Sequence, residues 1–197
     1  RLNKVYSKIM ISTNGTASIS LMQKLIENGV SIFALPYHTN NLQKYLSMTG
    51  IPASQAKKHY TRVHKVIEFL ANKNCEVQLI RVIMRDFNDS TEDIDQFLEF
   101  CRKYDVLAKI FDLNYHPNIH VKDLNKGKVK KRINQKKPNS TKVYNQLKVD
   151  LKPIYKHILN RTQKHKEYKN RFSRRIVHVH ELQNGTRVLL DSFNGQK

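Results

Sequence analysis

The length and composition of this chain are typical of a folded domain, and its charge is strongly positive. Of its 197 residues 39% are hydrophobic, which is enough to bury a core. No stretch approaches the roughly 20 apolar residues of a membrane-spanning helix, and no apolar run near the start resembles a signal peptide. The sequence therefore predicts a soluble, cytoplasmic protein that does not enter a membrane.

The net charge of +20 is concentrated in the second half of the chain. Residues 1–112 carry 15 Lys and Arg against 11 Asp and Glu, whereas residues 113–197 carry 21 against 5. A positive field attracts polyanions, so residues 122–175 are a candidate surface for nucleic acid or a phosphorylated ligand. The alternative interpretation, that the basic residues serve solubility and reflect a bias toward Lys and Asn, is equally open.

Strand and helix alternate from the start of the chain. Apolar residues predict a short strand over 8–12, and Asn14 and Gly15 predict a tight turn at its carboxyl end, because both residue types tolerate a positive φ. A short helix is predicted over 17–27 and a second strand over 30–35. A polar loop and another short helix, over 42–47, follow this strand.

The stretch from Ala56 to Asp112 carries the clearest pattern. It predicts a helix over 56–71, a strand over 77–84, a helix capped by Ser90 and a strand over 106–111. The strand over 77–84 is apolar at nearly every position, as in a parallel sheet that is covered on both faces. Parallel strands need crossover connections, which place helices outside the sheet, so we predict α/β architecture.

After residue 115 the pattern changes. We divide the chain into an α/β part at 1–115, a basic loop or linker at 116–140, and a basic extension at 141–197. The extension is predicted to hold a helix over 141–161, which at Pro153 either kinks or restarts from Asp150. Residues 164–175 are interpreted only as a second basic segment. Asn184-Gly185 between two apolar runs predicts a carboxyl-terminal β-hairpin, with strands over 176–182 and 186–191.

Polar segments follow each strand of the α/β part. The carboxyl ends of parallel strands meet at one edge of the sheet, which is where such folds bind ligands. Loops after strands are nevertheless polar in any protein, so the same segments could be ordinary turns. The four segments are 13–15, 37–39, 86–90 and 112–116.

His178 and His180 alternate on one face of a predicted hairpin strand. They could bind a metal, but no third ligand is apparent, so surface residues of the hairpin are the favoured interpretation. Cys75 and Cys101 fit neither a disulfide framework nor a metal motif, and we predict that both are reduced structural thiols. The sequence therefore predicts no metal site of its own.

Several short motifs occur in an order that belongs to one enzyme family. They are Ser12-Thr13-Asn14-Gly15 at a strand end, Asn28-Gly29-Val30 after a helix, a strand ending near His38, Met48-Thr49-Gly50-Ile51-Pro52 before a helix, and Asn88-Asp89-Ser90 after a strand ending in Met84. Together these motifs, over residues 8–115, resemble the carboxyl-terminal part of the radical S-adenosylmethionine (SAM) enzyme core. The branch that they resemble is that of the molybdenum-cofactor GTP cyclase.

This resemblance implies both a fold and a chemistry. The family core is a partial (βα)6 TIM-like barrel, of which this chain would supply the last four strands. A 4Fe-4S cluster in the family cleaves SAM reductively, and the resulting 5′-deoxyadenosyl radical abstracts hydrogen from a substrate. The substrate of this chain is unknown, and the positive charge of the chain is compatible with an anionic one. By position in the family, Thr13 and Asn14 would lie near SAM, and His38 and Asn88 would face the same cavity.

The chain also departs from the family. The CxxxCxxC motif that holds the cluster and a GGEP-like segment are both absent, and Leu35-Pro36 replaces a Ser often found at a strand end. Two scattered cysteines cannot ligate a four-iron cluster as the family does, so the chain as given should be inactive alone. The cluster-binding part is then truncated, on another chain or lost, and the start at Arg1 favours truncation. A non-enzymatic, nucleic-acid-binding basic α/β protein is the alternative hypothesis.

Overall fold

The computed structural model describes residues 8–112, 146–169 and 176–191, and within these ranges the chain is α/β. The strands are β1 (Met10–Ser12), β2 (Ile32–Pro36), β3 (Glu76–Ile83), β4 (Leu107–Asp112), β5 (Thr162–Lys169), β6 (Ile176–Leu182) and β7 (Arg187–Asp191). The helices are α1 (Ile19–Glu27), α2 (Leu42–Thr49), α3 (Ala53–Ala71), α4 (Thr91–Lys103) and α5 (Lys152–Leu159). None of these helices is long and apolar enough to cross a membrane.

All seven strands belong to one mixed sheet that does not close on itself. Their order is β1-β2-β3-β4-β7-β6-β5. β1 to β4 are parallel and adjacent in chain order, as the alternation of strands and helices predicted. β7 pairs with β4 in parallel, and β6 is antiparallel to both of its neighbours. The α/β class is therefore confirmed, with an antiparallel region at one edge.

The main core lies on one face of this sheet. Every second side chain of β3, from Val77 to Ile83, is buried, and α3 and α4 pack here. α1 and α2 contact α3, and α5 contacts α4, so the described helices gather on this face. On the opposite face of β3, Gln78 is buried, and Ile80 and Val82 are half-buried.

Local sequence signals set the ends of several elements. Ser90 Oγ accepts a hydrogen bond from the backbone N–H of Asp93 at 3.1 Å, so Ser90 caps α4 as predicted. The buried stripe of α4 is Ile94, Phe97, Leu98 and Cys101, spaced as one face of a helix requires. Capping and spacing together place α4 against the sheet.

The predicted helix over 141–161 is wrong in its extent. Residues 148–151 are not helical, and α5 covers only Lys152–Leu159. Pro153 causes the break, because proline lacks an N–H and clashes with a preceding helical turn but fits the first turn of a new helix. Asp150 Oδ1 accepts a hydrogen bond from Lys152 N at 3.0 Å, so of the two predicted alternatives the structure favours a restart, which occurs at Lys152, two residues after Asp150. Residues 141–145 lie outside the described part of the chain.

The predicted hairpin is confirmed, and the structure adds a strand that the sequence analysis missed. Gly185 has a φ of +84°, and Asn184 Oδ1 accepts a hydrogen bond from Thr186 N at 3.1 Å, as this turn requires. β5 occupies part of the basic segment 164–175 and pairs with β6. The proposed domain boundaries stay predictions, because residues 113–145 are outside the described ranges.

Candidate functional site

The carboxyl ends of β1, β2 and β3 bring together the polar segments that the sequence singled out. Thr13 N donates a hydrogen bond to Ala34 O at 3.0 Å, which holds the end of β1 beside β2. Tyr37 N donates to Ile80 O at 2.7 Å, which holds the end of β2 beside β3. Of the segment 112–116, only Asp112 is described. Three of the four predicted loops therefore lie in order along one edge of the sheet.

The turn after β1 is organised by its own side chains. Asn14 Oδ1 accepts hydrogen bonds from Thr16 N at 3.1 Å and Thr16 Oγ1 at 2.7 Å, and Thr13 Oγ1 accepts one from Gly15 N at 3.3 Å. Gly15 is buried with a φ of +72°, and a Cβ there would lie 3.0 Å from Leu35 Cδ2. The turn is therefore tightly seated, with Thr13 half-buried and Asn14 exposed at its surface.

Asn88 joins the loop after β2 to the end of β3. Its side chain is fully buried, and Oδ1 accepts a hydrogen bond from Met84 N at 2.8 Å. Nδ2 donates to His38 O at 2.8 Å and to Val82 O at 3.0 Å. Both amide hydrogens are therefore bound to backbone carbonyls. Asn88 thus holds His38 in place through the backbone.

His38 presents a neutral imidazole at this edge. Val82 N donates a hydrogen bond to His38 Nδ1 at 3.4 Å, which leaves the proton of the neutral ring on Nε2. Burial, and secondly the positive charge of Arg81, lower the pKa of His38. Among the described residues, Nε2 has no hydrogen-bond partner. His38 therefore offers one N–H donor at neutral pH.

The other members of segment 37–39 have structural contacts. Tyr37 is buried, stacks on Phe100 with ring centroids 4.7 Å apart, and forms a hydrogen bond between its hydroxyl and His64 Nε2 at 3.0 Å. Burial raises the pKa of Tyr37, so its hydroxyl stays protonated. Thr39 is also buried, and its Oγ1 accepts a hydrogen bond from Asn41 N at 3.0 Å. His38 is therefore the member of this segment with a free polar group.

Arg81 is a buried cation behind the site that the sequence analysis missed. Its guanidinium donates to Asp93 O at 2.7 Å and Asn40 Oδ1 at 3.1 Å, and its carbon Cζ lies 4.1 Å from the centre of the Phe97 ring. Burial lowers its pKa to about 10, so it is still charged at pH 7. A single arginine in the apolar run 77–84 was the signal that could have revealed it. Arg81 ties the loop after β2 to α4.

The cysteines of this chain do not fit a 4Fe-4S cluster. Cys101 is fully buried in α4, and burial raises the pKa of its thiol. Cys75 precedes β3, at the amino edge of the sheet, and its Sγ donates to Leu70 O at 3.4 Å. Both are free thiols, as predicted. They lie apart, and neither is at the edge that carries His38.

A second candidate surface lies between α1 and α3, on the helical side of the molecule. It is a groove of about 740 Å³, and the part of α3 that lines it is strongly basic. Arg62 Nη1 donates to Thr16 O at 3.1 Å and so connects the groove wall to the turn after β1. The lining residues are Ala17, Ser18, Ile19, Ser54, Lys57, Lys58, Thr61, Arg62, Lys65 and Val66. This set includes four cationic side chains and no acidic one.

No protein-family model matches the chain, and no curated protein is significantly similar to it. The function therefore has to be inferred from the residues and their geometry. The strand-end loops offer hydrogen-bonding groups to a small polar ligand, and the groove on α3 offers positive charge to an anion.

Proposed function

We propose that this chain is the carboxyl-terminal part of a radical SAM enzyme core, in which β1 to β4 are the last four strands of a partial (βα)6 barrel. One observation carries the proposal. The four strands are parallel and adjacent in chain order, their described helices lie on one face, and their polar loops share one edge. Parallel sheets are normally covered on both faces, and under this proposal the face opposite the described helices would line the interior of a barrel.

Under this proposal the residues at the carboxyl edge bind SAM. Thr13 and Asn14 supply the turn after β1, and His38 Nε2–H supplies a hydrogen bond to a carboxylate or hydroxyl of the ligand. Asn88 acts on the ligand indirectly, because its amide is bound to the backbone around His38. SAM supplies the 5′-deoxyadenosyl group in such enzymes. The net charge of +20 favours an anionic substrate, and the proposed location is the cytoplasm.

The 4Fe-4S cluster does not fit Cys75 and Cys101, so the proposal requires cluster ligands from outside these 197 residues. The test is to express the complete reading frame anaerobically and to measure iron content and the absorbance spectrum. Stoichiometric iron that is lost when cysteines upstream of residue 1 are replaced supports the proposal. A full-length product without a cluster refutes it.

The contribution of His38 is tested in the same preparation. His38→Phe keeps a ring but removes the N–H donor, so it should weaken SAM binding by roughly tenfold, because one hydrogen bond contributes about 1.4 kcal/mol when its partner is otherwise unsatisfied. His59 is an exposed histidine on α3, and His59→Phe is the matched control. Equal SAM affinity of the two variants would remove His38 from the binding site.

The groove on α3 favours a second candidate function, the binding of nucleic acid. In the described part of 122–175, Lys164 pairs with Glu181 at 3.3 Å and Arg161 pairs with Asp95, so some of its charge is already neutralised. Lys57, Lys58 and Lys65 form no ion pair within the described residues. A polyanion would therefore meet unpaired positive charge in the groove.

This candidate is tested by the salt dependence of binding. Fluorescence anisotropy would follow labelled single-stranded RNA and duplex DNA over a series of salt concentrations. Replacing Lys57, Lys58 and Lys65 by Gln should reduce the slope of log affinity against log salt by about 3, or about 1 for each phosphate contact. A control triple at exposed Lys24, Lys73 and Lys103, outside both the groove and residues 122–175, should leave the slope unchanged. Affinity that does not depend on salt would exclude this function.

A further inference from the structure

The pairing of β5 with β6 gathers four side chains with metal-binding chemistry on one face of the sheet. In the antiparallel register, His165 lies directly opposite His180, and Glu167 lies directly opposite His178. Side chains alternate between faces along a strand, so the lysines next to His165 on β5 are directed to the other face. The sequence showed only the two histidines of β6, and the register adds two further potential ligands.

Among three of these side chains, two of the donor-atom separations are close to those of a tetrahedral metal site. His165 Nε2 is 3.1 Å from His178 Nδ1, and His178 Nδ1 is 3.4 Å from Glu167 Oε1. All three donor atoms lie within 4.8 Å of one another. A tetrahedral Zn²⁺ with bonds of about 2.0–2.2 Å separates its ligand atoms by about 3.3 Å. The three side chains therefore already stand close to a coordinating arrangement.

We propose that His165 Nε2, His178 Nδ1 and the Glu167 carboxylate form a Zn²⁺ site with water in the fourth position. Two imidazoles and one carboxylate are ligands that Zn²⁺ prefers, whereas Mg²⁺ and Ca²⁺ require mainly oxygen. His165 and Glu167 are exposed and His178 is partly exposed, so the metal and its water reach the site from solvent. This site is independent of the proposed enzyme function.

His180 is a buried neighbour of the proposed ligand His165. It is 2% exposed, and its ring stacks on that of His165 with centroids 4.7 Å apart and an interplanar angle of 13°. Thr162 Oγ1 donates to Ile158 O at 3.1 Å, so at its 3.3 Å contact with His180 Nδ1 it is the acceptor. The ring of His180 is thus anchored to the end of α5. It restricts the orientation of the His165 ring, as partners of metal-binding histidines commonly do.

A metal at this site would link β5, at the edge of the sheet, to its neighbour β6. Within the described residues, β5 pairs with β6 alone, and it carries a polar, basic sequence. A metal that takes two ligands from β5 and one from β6 links these strands independently of the backbone ladder. Because only the paired strands form the site, Zn²⁺ binding should stabilise the folded state.

The site can be tested with the untagged full chain. After removal of metal with a chelator and dialysis, isothermal titration with Zn²⁺ should show one site per chain that Mg²⁺ does not compete for. Co²⁺ should bind to the same site and give the visible absorption of tetrahedral coordination. The melting temperature should rise with increasing Zn²⁺ concentration.

Two variants and two controls keep the test decisive. Glu167→Gln keeps the shape of an exposed side chain and should weaken Zn²⁺ binding by roughly tenfold or more, as should His178→Ala. His59→Ala removes an exposed histidine elsewhere, and Lys166→Ala alters the other face of β5, so both should bind Zn²⁺ like the parent. Zn²⁺ binding that is absent, or equal in Glu167→Gln, His178→Ala and the parent, overturns the proposal. In that case His165 and His178 share only a hydrogen bond.

Discussion

Replacing Asn88 by Ala should strongly destabilise the protein although Asn88 lies in a loop. The buried carboxamide bonds Met84 N at 2.8 Å, His38 O at 2.8 Å and Val82 O at 3.0 Å. Its removal leaves three backbone groups without partners, and each lost bond costs about 1 kcal/mol. The free energy of unfolding should therefore fall by about 3 kcal/mol. This is a large part of the total, which is about 5–15 kcal/mol for a typical domain.

Asn88→Asp keeps the acceptor oxygen of this side chain but, when ionised, removes both N–H donors. An aspartate can still accept from Met84 N, but its second oxygen faces the carbonyls of His38 and Val82. Burial and these carbonyls should raise the pKa of the introduced carboxyl in the folded state. The protonated form is then favoured on folding, so the deficit of the variant should be small below about pH 4 and should grow as pH rises through the raised pKa.

Urea denaturation followed by circular dichroism, from about pH 4 to about pH 8, measures both effects against the parent at each pH. Asn72→Ala is the matched control, because Asn72 is exposed and its Nδ2 makes a single bond to Glu68 O at 2.9 Å. That control should change stability by no more than about 0.5 kcal/mol. If Asn88→Ala costs no more than the control, or if the deficit of Asn88→Asp does not depend on pH, the three bonds do not hold this loop.

Three further predictions concern the same edge of the sheet. Gly15→Ala should lower the free energy of unfolding, measured by urea denaturation, by about 3 kcal/mol, because a positive φ is combined with a close contact of the added Cβ. Gly185 also has a positive φ, but no atom lies within 4 Å of an added Cβ, so Gly185→Ala should lower it by only about 1 kcal/mol. Equal costs would contradict the close contact. Arg81→Met should lower the free energy of unfolding by about 3 kcal/mol, because three acceptors lose their donor, although removal of a buried charge offsets part of this loss. The control is Arg102→Met, which removes an exposed ion pair and should change stability little. A neutral result for Arg81→Met would show that its network adds no net stability. Because the pKa of His38 is lowered in the folded state, its contribution to stability should be complete above about pH 6.5 and should be lost as pH falls below that value. His38→Gln should flatten this part of the stability profile, and an unchanged profile would assign the pH dependence to other groups.

The strands and helices that could be predicted are those with an apolar pattern of their own. β3 is largely apolar, α4 has a cap at Ser90 and a buried stripe, and Asn184-Gly185 marks the hairpin turn. Each signal is contained in fewer than about twenty consecutive residues, so no knowledge of the rest of the fold was needed. β5 has no such signal, because its polar side chains become a strand only through pairing with β6.

The same distinction applies to the candidate site. The polar segments at 13–15 and 37–39 were found because they follow strands, and parallel strands share a carboxyl edge. The sequence did not predict which side-chain atoms at this edge are free to bind a ligand. Asn88 has both amide hydrogens bound to the backbone, whereas His38 retains a free N–H, and this difference depends on contacts between loops far apart in the chain.

Within residues 8–112, the sequence by itself determined the order of the elements, the α/β class and the loops at the carboxyl edge, because burial imposes short periodic patterns on strands and helices. Only the tertiary structure decided that β7 lies beside β4 and that His165 and Glu167 face His180 and His178. The physical reason is that strand order and register depend on pairing energies between distant segments, which leave no periodic trace in either segment alone.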